Sequence, residues 1–199
     1  MLIMRVKEHP EFPRLELAIK GATGHLMAWE GVVYRSAPPK WSTGRDMITG
    51  AGSMKAGARF NASGSFPMIY GSTTPELAMI ESLAFQRRAG LPVDQALPLV
   101  FKAIEVKVDR LLDLTDAGVL AALGVTADLL LTEAWWLARL RGEESLTQAV
   151  GRAAHANGIQ GLRVASAHSV AHGQNILLLP DHISPPSELH VLRRPRSAR

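Results

Sequence analysis

Arg59, Tyr70 and Glu81 stand eleven residues apart in the chain and are of three chemically different types. A guanidinium grips oxyanions through paired donors, an aromatic ring stacks on flat groups, and a carboxylate stabilises developing positive charge. Arg59 follows a glycine in Gly57-Ala58-Arg59-Phe60-Asn61, and Tyr70 closes the short apolar run Phe66 to Gly71. Glu81 falls in a helix that starts at Ser72-Thr73-Thr74-Pro75-Glu76. A loop, a strand end and a helix can bring a cation, a ring and a carboxylate into one cleft. Each residue taken alone also has a plainer reading: a salt-bridging arginine, a core tyrosine, a helix carboxylate paired with an arginine.

The elements that must position them can be read in order. Residues 1 to about 30 suggest a short helix or strand after Pro13, broken at Gly21-Ala22-Thr23-Gly24. Gly31 to Arg35 reads as a strand running into a turn at Pro38-Pro39. Trp41 to Gly57 is glycine-rich and without periodicity, which predicts a mobile functional loop over the cleft. Thr74 as N-cap, Pro75 at the first helical position and Glu76 in the first turn open a helix expected to reach Arg88 and stop at Gly90. On it Leu77, Glu81 and Phe85 form one stripe, so the carboxylate is partly buried and calls for a partner. A strand is expected over Leu99 to Val108, and Leu111 to Leu114 extends it or starts another. Helices follow over about 115–123, 126–141 and 145–157, and then a strand from Asn175 to Leu179. Strands and helices mix without regular βαβ alternation, which predicts the α+β class.

Composition sets the outer bounds. A chain of 199 residues is expected to form one main domain that buries roughly 70% of its unfolded surface. There is no cysteine, so thiolate chemistry and cysteine-based zinc sites are excluded. His168 and His172 show no metal-ligand spacing, and no metal is expected. No GxGxxG or GxxxxGK[ST] occurs, which argues against a Rossmann dehydrogenase and a P-loop enzyme. Of the net charge of +4, +3 lies in residues 187–199, where Arg193, Arg194, Arg196 and Arg199 face only Glu188. That clustering predicts a solvated tail rather than a nucleic-acid surface. Arg5, Lys7 and Glu8 stand where a signal peptide needs its apolar core, so a cytoplasmic location without membrane association is expected.

The ordered set of features resembles the RES domain family, named for an arginine, a glutamate and a serine. The matching pieces are Tyr34-Arg35, the Gly57–Asn61 segment, Tyr70 with the Pro75–Phe85 helix, and Gly158-Ile159-Gln160-Gly161-Leu162-Arg163-Val164-Ala165-Ser166-Ala167 followed by Asn175-Ile176-Leu177-Leu178. By the match Arg59, Glu81 and Ser166 are the eponymous three. The chain departs from the pattern at Phe60, where tryptophan is common, and at Ala165, where a proline often precedes the serine. The second departure leaves Ser169 as an alternative to Ser166. Residues 1–30 are then an N-terminal extension packed on the domain, 31–183 the RES domain, and 184–199 a Pro/Arg-rich tail.

The resemblance implies an ADP-ribosyltransferase-like split, mostly antiparallel sheet with flanking helices and an NAD cleft between its halves. It implies a toxin of a bacterial toxin–antitoxin pair that consumes NAD as substrate by cleaving the nicotinamide–ribose bond, with water or phosphate as acceptor. A mono-ADP-ribosyltransferase with a protein acceptor is the alternative within the same chemistry, and a non-catalytic protein-binding module with this fold is the alternative outside it. The implied partner is an Xre-like helix-turn-helix antitoxin, through which alone nucleic acid would enter. Glu81 would meet the ribose and the cationic transition state. Arg59 and Arg35 would hold phosphates or ribose hydroxyls. Tyr70, and less directly Tyr34, would stack on or donate to the nicotinamide, and Ser166 would hydrogen-bond the nicotinamide amide or the ribose.

Overall fold

Alternating burial along Val100–Asp113 (β3) explains the centre of the structure. Ile104, Val106 and Val108 are sealed on one face while Glu105, Lys107 and Asp109 stay exposed, and from Leu111 onward both faces are covered. The computed structural model describes residues 6–84, 87, 92–167 and 173–192. Met27–Ala37 (β1) runs antiparallel to β3 from Ala37 opposite Val100 to Met27 opposite Leu111. Ile69–Ser72 (β2) pairs antiparallel with Gln174–Leu178 (β5), and β5 pairs antiparallel with Gly161–Ala165 (β4). β4 returns parallel to the end of β3, and β1 meets β2 at Tyr34 opposite Ser72. The pairings β3–β1–β2–β5–β4–β3 therefore make a circuit, mostly antiparallel, with helices on its flanks. This is a mixed α/β fold with a sheet and flanking helices.

One core cluster contains Val33, Met47, Ile69, Ile104, Ile176 and Leu178 on one side of the sheet. The other lies under the helices, where Leu15 and Ile19 of the Phe12–Gly21 helix meet Ala149, Val150 and Ala153 of the Leu146–Ala156 helix. Ser145 caps that second helix by a reciprocal box with Gln148. Among the described residues no helix is long and apolar enough to cross a membrane.

Four local expectations are corrected. The 41–57 stretch is not a loop but two six-residue helices, Gly44–Thr49 and Ala51–Ala56, that pack with Met47 fully buried. Thr43 and Asp46 form a capping box, and Gly50 between the helices takes φ +66° where a Cβ would lie 2.6 Å from the Met68 nitrogen. Residues 126–141 are two helices, Ala127–Thr132 and Trp135–Leu140, rather than one. The break follows from Glu133, whose carboxylate turns away to accept from the amides of Leu146 and Thr147 (2.6 and 2.8 Å) and from the Thr147 hydroxyl. The helix opened at Pro75 is interrupted by a turn at Leu83 after Pro75–Ser82 rather than running unbroken. Helical backbone resumes at Ala84 and Arg87, whose amide donates to the Leu83 carbonyl at 3.1 Å, and Phe85, Arg88 and Gly90 lie outside the described residues. Glu188–Val191 (β6) joins the edge of β3, so part of the segment read as a tail belongs to the sheet; the tail arginines lie outside the described residues.

Gly151 fixes the distance between the Leu146–Ala156 helix and the loop that carries Arg59. A Cβ there would sit 1.8 Å from the Phe60 carbonyl oxygen, and that atom belongs to backbone that cannot step aside alone. Gly151→Ala should cost about 1–3 kcal/mol, read as a lower midpoint in urea denaturation. An unchanged midpoint would show that the loop moves freely and that this contact does not hold Arg59.

Candidate active site

Glu81 reaches its place because the Pro75–Ser82 helix starts as its sequence dictates, with Thr74 accepting from the Leu77 amide at 3.2 Å. The helix buries Leu77 and Ala78 against the sheet, which leaves Glu81 half-buried one turn further on. The partner its position calls for is supplied twice. Ser166 donates its hydroxyl to Glu81 Oε1 at 2.6 Å, and Asn175 Nδ2 donates to the same oxygen at 2.7 Å. Asn175 is set in turn by register: it lies opposite Ser72 across β2 and β5, and accepts from the Ser72 hydroxyl at 2.7 Å. A carboxylate only accepts, so the Asn175 amide must present its NH₂ to Glu81 and its oxygen to Ser72. Both donors converge on Oε1, leaving Oε2 as the oxygen a ligand can meet.

Tyr70 lines the cavity and also has a structural task. Its hydroxyl accepts from the Phe60 amide at 2.9 Å and donates to Asn61 Oδ1 at 2.9 Å, so it clamps the loop next to Arg59. Asn61 is fully buried and donates to the Phe66 carbonyl at 3.1 Å, while Gln148 Nε2 holds the Ala58 carbonyl at 2.9 Å. Arg59 is thus flanked on both sides by fixed backbone. Its guanidinium carbon lies 5.7 Å from the centre of the Phe60 ring. Arg35, on β1, donates from Nη1 to the Met47 carbonyl at 2.9 Å, at the end of the Gly44–Thr49 helix. Burial lowers its pKa from the ordinary arginine value.

Tyr34, Arg35, Arg59, Tyr70 and Glu81 line one cavity of about 780 Å³. Ser166 stands behind that wall, only 8% exposed, and touches the cavity through Glu81. Ser169, His168 and His172 lie outside the described residues. Two groups of cavity residues had no role in the sequence reading. Ser72 and Asn175 fix the carboxylate; a polar residue opening the apolar strand Asn175-Ile176-Leu177-Leu178 is the signal that could have marked the second. Ser36 and Ser82 also line the cavity and share a hydrogen bond between their hydroxyls. Trp135, Trp136 and Arg139 of the Trp135–Leu140 helix, with Glu133 and Ala134 before it, also line the cavity. The result is a pocket with an oriented carboxylate, three guanidinium groups (Arg35, Arg59 and Arg139) and aromatic surface, a set suited to binding an anionic ligand and stabilising a cationic centre in it.

Comparison with known proteins gives the family and the fold. The model of the RES domain matches residues 32–195, and the chain belongs to the RES domain family. The match begins in β1 and runs through β6. The fold is similar to that in the crystal structure of the M. tuberculosis MbcT–MbcA toxin–antitoxin complex, with a TM-score of 0.68 and 23% sequence identity over 90% of each chain. None of the curated proteins matches the sequence.

Burial raises the Tyr70 pKa well above the ordinary tyrosine value, and the opposing pull of the Phe60 amide and the Arg59 charge does not cancel it. A raised folded pKa means that Tyr70 contributes its full stability below the unfolded value of about 10 and loses it as pH rises further. In a spectrophotometric titration near pH 10, the folded parent and Tyr70→Phe should therefore gain the same tyrosinate absorbance. A larger gain in the parent would mean that the hydroxyl is not clamped as described.

Proposed function

We propose that this chain is the toxin of a bacterial toxin–antitoxin pair and consumes NAD by cleaving the nicotinamide–ribose bond. The observation that carries the reading is the Glu81 carboxylate, oriented by Ser166 and Asn175 in the cavity that Arg35 and Arg59 also line. Membership of the RES domain family and the likeness to a toxin–antitoxin complex support it, and they point to an antitoxin as the partner.

The chemistry asks for three things. When the glycosidic C–N bond breaks, its electron pair leaves with neutral nicotinamide and positive charge develops on the ribose. Glu81 would stabilise that charge through Oε2 while its other oxygen stays held. Arg35 and Arg59 would anchor the pyrophosphate, which fixes the ribose against the carboxylate. The Tyr70 ring, its hydroxyl engaged elsewhere, would offer a face to the nicotinamide. The acceptor then completes the bond at the ribose carbon. Water gives ADP-ribose and releases a proton; phosphate gives the 1″-phosphate; a protein side chain gives an ADP-ribosylated protein.

Incubation of the purified chain with NAD, with and without phosphate, followed by product analysis tests the proposal. Nicotinamide should appear in equal amount to ADP-ribose or its phosphate, with the phosphate ester only when phosphate is present if the enzyme is a phosphorylase. A modified protein in place of free product would identify a transferase. NAD recovered intact under all these conditions would refute the catalytic reading and leave the fold as a protein-binding module.

A further inference from the structure

The wall of the cavity formed by the Trp135–Leu140 helix takes no part in the proposed bond cleavage. Trp136 and Arg139 are three residues apart on that helix and so share a face, and both line the cavity. Trp136 keeps 38% of its surface exposed, and Arg139 is exposed beside it. An indole at the rim of a polar cavity offers a large flat apolar face, and an arginine next to it can pair with an anion while lying against a ring. The wall is also rigidly placed. The preceding residue pair breaks the helix because the Glu133 carboxylate is bound to Leu146 and Thr147 of the neighbouring helix. A surface set before the ligand arrives loses little entropy on binding.

A ligand cleaved beside Glu81 would occupy only part of this space. NAD has two bases, each on its own ribose, joined by a pyrophosphate. With the nicotinamide riboside half against Glu81 and the pyrophosphate at the arginines, the second nucleoside must continue along the cavity. Its volume of about 780 Å³ is in the range that encloses a complete ligand rather than a fragment. We infer that Trp136 and Arg139 form a subsite for the purine nucleoside half of a dinucleotide, the indole stacking on the base and the guanidinium pairing with a phosphate. The inference rests on the NAD-cleaving reading for the class of ligand and for the direction in which it lies.

Calorimetric titration with ADP and with nicotinamide mononucleotide separates the two halves. The proteins to compare are the parent, Trp136→Ala, Arg139→Ala and Trp41→Ala, the last removing an indole that is 58% exposed away from the cavity. One stacked base strengthens binding by roughly tenfold, so ADP affinity should fall by about that factor in Trp136→Ala. It should fall in Arg139→Ala as well, and stay unchanged in Trp41→Ala. Nicotinamide mononucleotide should bind all four alike. The subsite is refuted if the parent does not bind ADP, if Trp136→Ala or Arg139→Ala binds ADP as the parent does, or if both ligands weaken together. A parent that binds ADP through Trp136 yet leaves NAD intact would uphold the subsite and refute the reaction. A parent that cleaves NAD while Trp136→Ala keeps its ADP affinity would do the reverse.

Discussion

A carboxylate lodged on the apolar face of a helix has to be met by donors, and much of this structure converges on meeting the one at Glu81. The Pro75–Ser82 helix brings the carboxylate, the end of β4 brings Ser166, and β5 brings Asn175, whose own orientation is held by Ser72 on β2. Three elements are therefore tied at a single oxygen, and β2 is joined to them through Asn175. Charge-assisted hydrogen bonds of this kind are the stronger ones, and removing one partner leaves the other groups buried without it. The same constraint holds one carboxylate oxygen and leaves the other outside these bonds, on a residue that lines the cavity.

The arginine side of the cavity is built by a second set of contacts. Tyr70 and Gln148 seize the backbone on either side of Arg59, and Gly151 lets the Leu146–Ala156 helix approach that backbone closely. The Tyr70 hydroxyl is thus spent on holding the loop. In β1, Arg35 is braced by the carbonyl of Met47, and that helix is itself held by a capping box. Positive charge is in this way fixed on rigid elements, which is what preorganised binding of a pyrophosphate would require.

Much of this was legible where a local rule decides local structure. The Thr74-Pro75-Glu76 helix start, the Ser145 cap and the alternation along β3 follow from side chains acting on their own backbone. The eleven-residue spacing of Arg59, Tyr70 and Glu81 did put them in one cavity. What the sequence hid depends on partners far along the chain. Six-residue helices make too few turns to show periodicity, so the 41–57 stretch read as a loop. The break at Glu133 accompanies a carboxylate that caps another helix, a partner that nothing local in 126–141 announces. Asn175 is one polar residue at the head of an apolar strand, and only the register with Ser72 gives it a task. Nothing in the sequence ties the Tyr70 hydroxyl to the Phe60 amide and Asn61, because that contact depends on how the loop folds back on β2.

On the proposed reading, the charge of Glu81 is what separates cleavage from binding. Glu81→Gln keeps the shape of the side chain and an oxygen for Ser166 and Asn175, and removes the charge. The most direct measurement is the rate of nicotinamide release from NAD by this variant, set beside its NAD affinity from calorimetry. The account predicts a rate at least about a hundredfold below the parent with affinity little changed. A variant that releases nicotinamide as fast as the parent would contradict it.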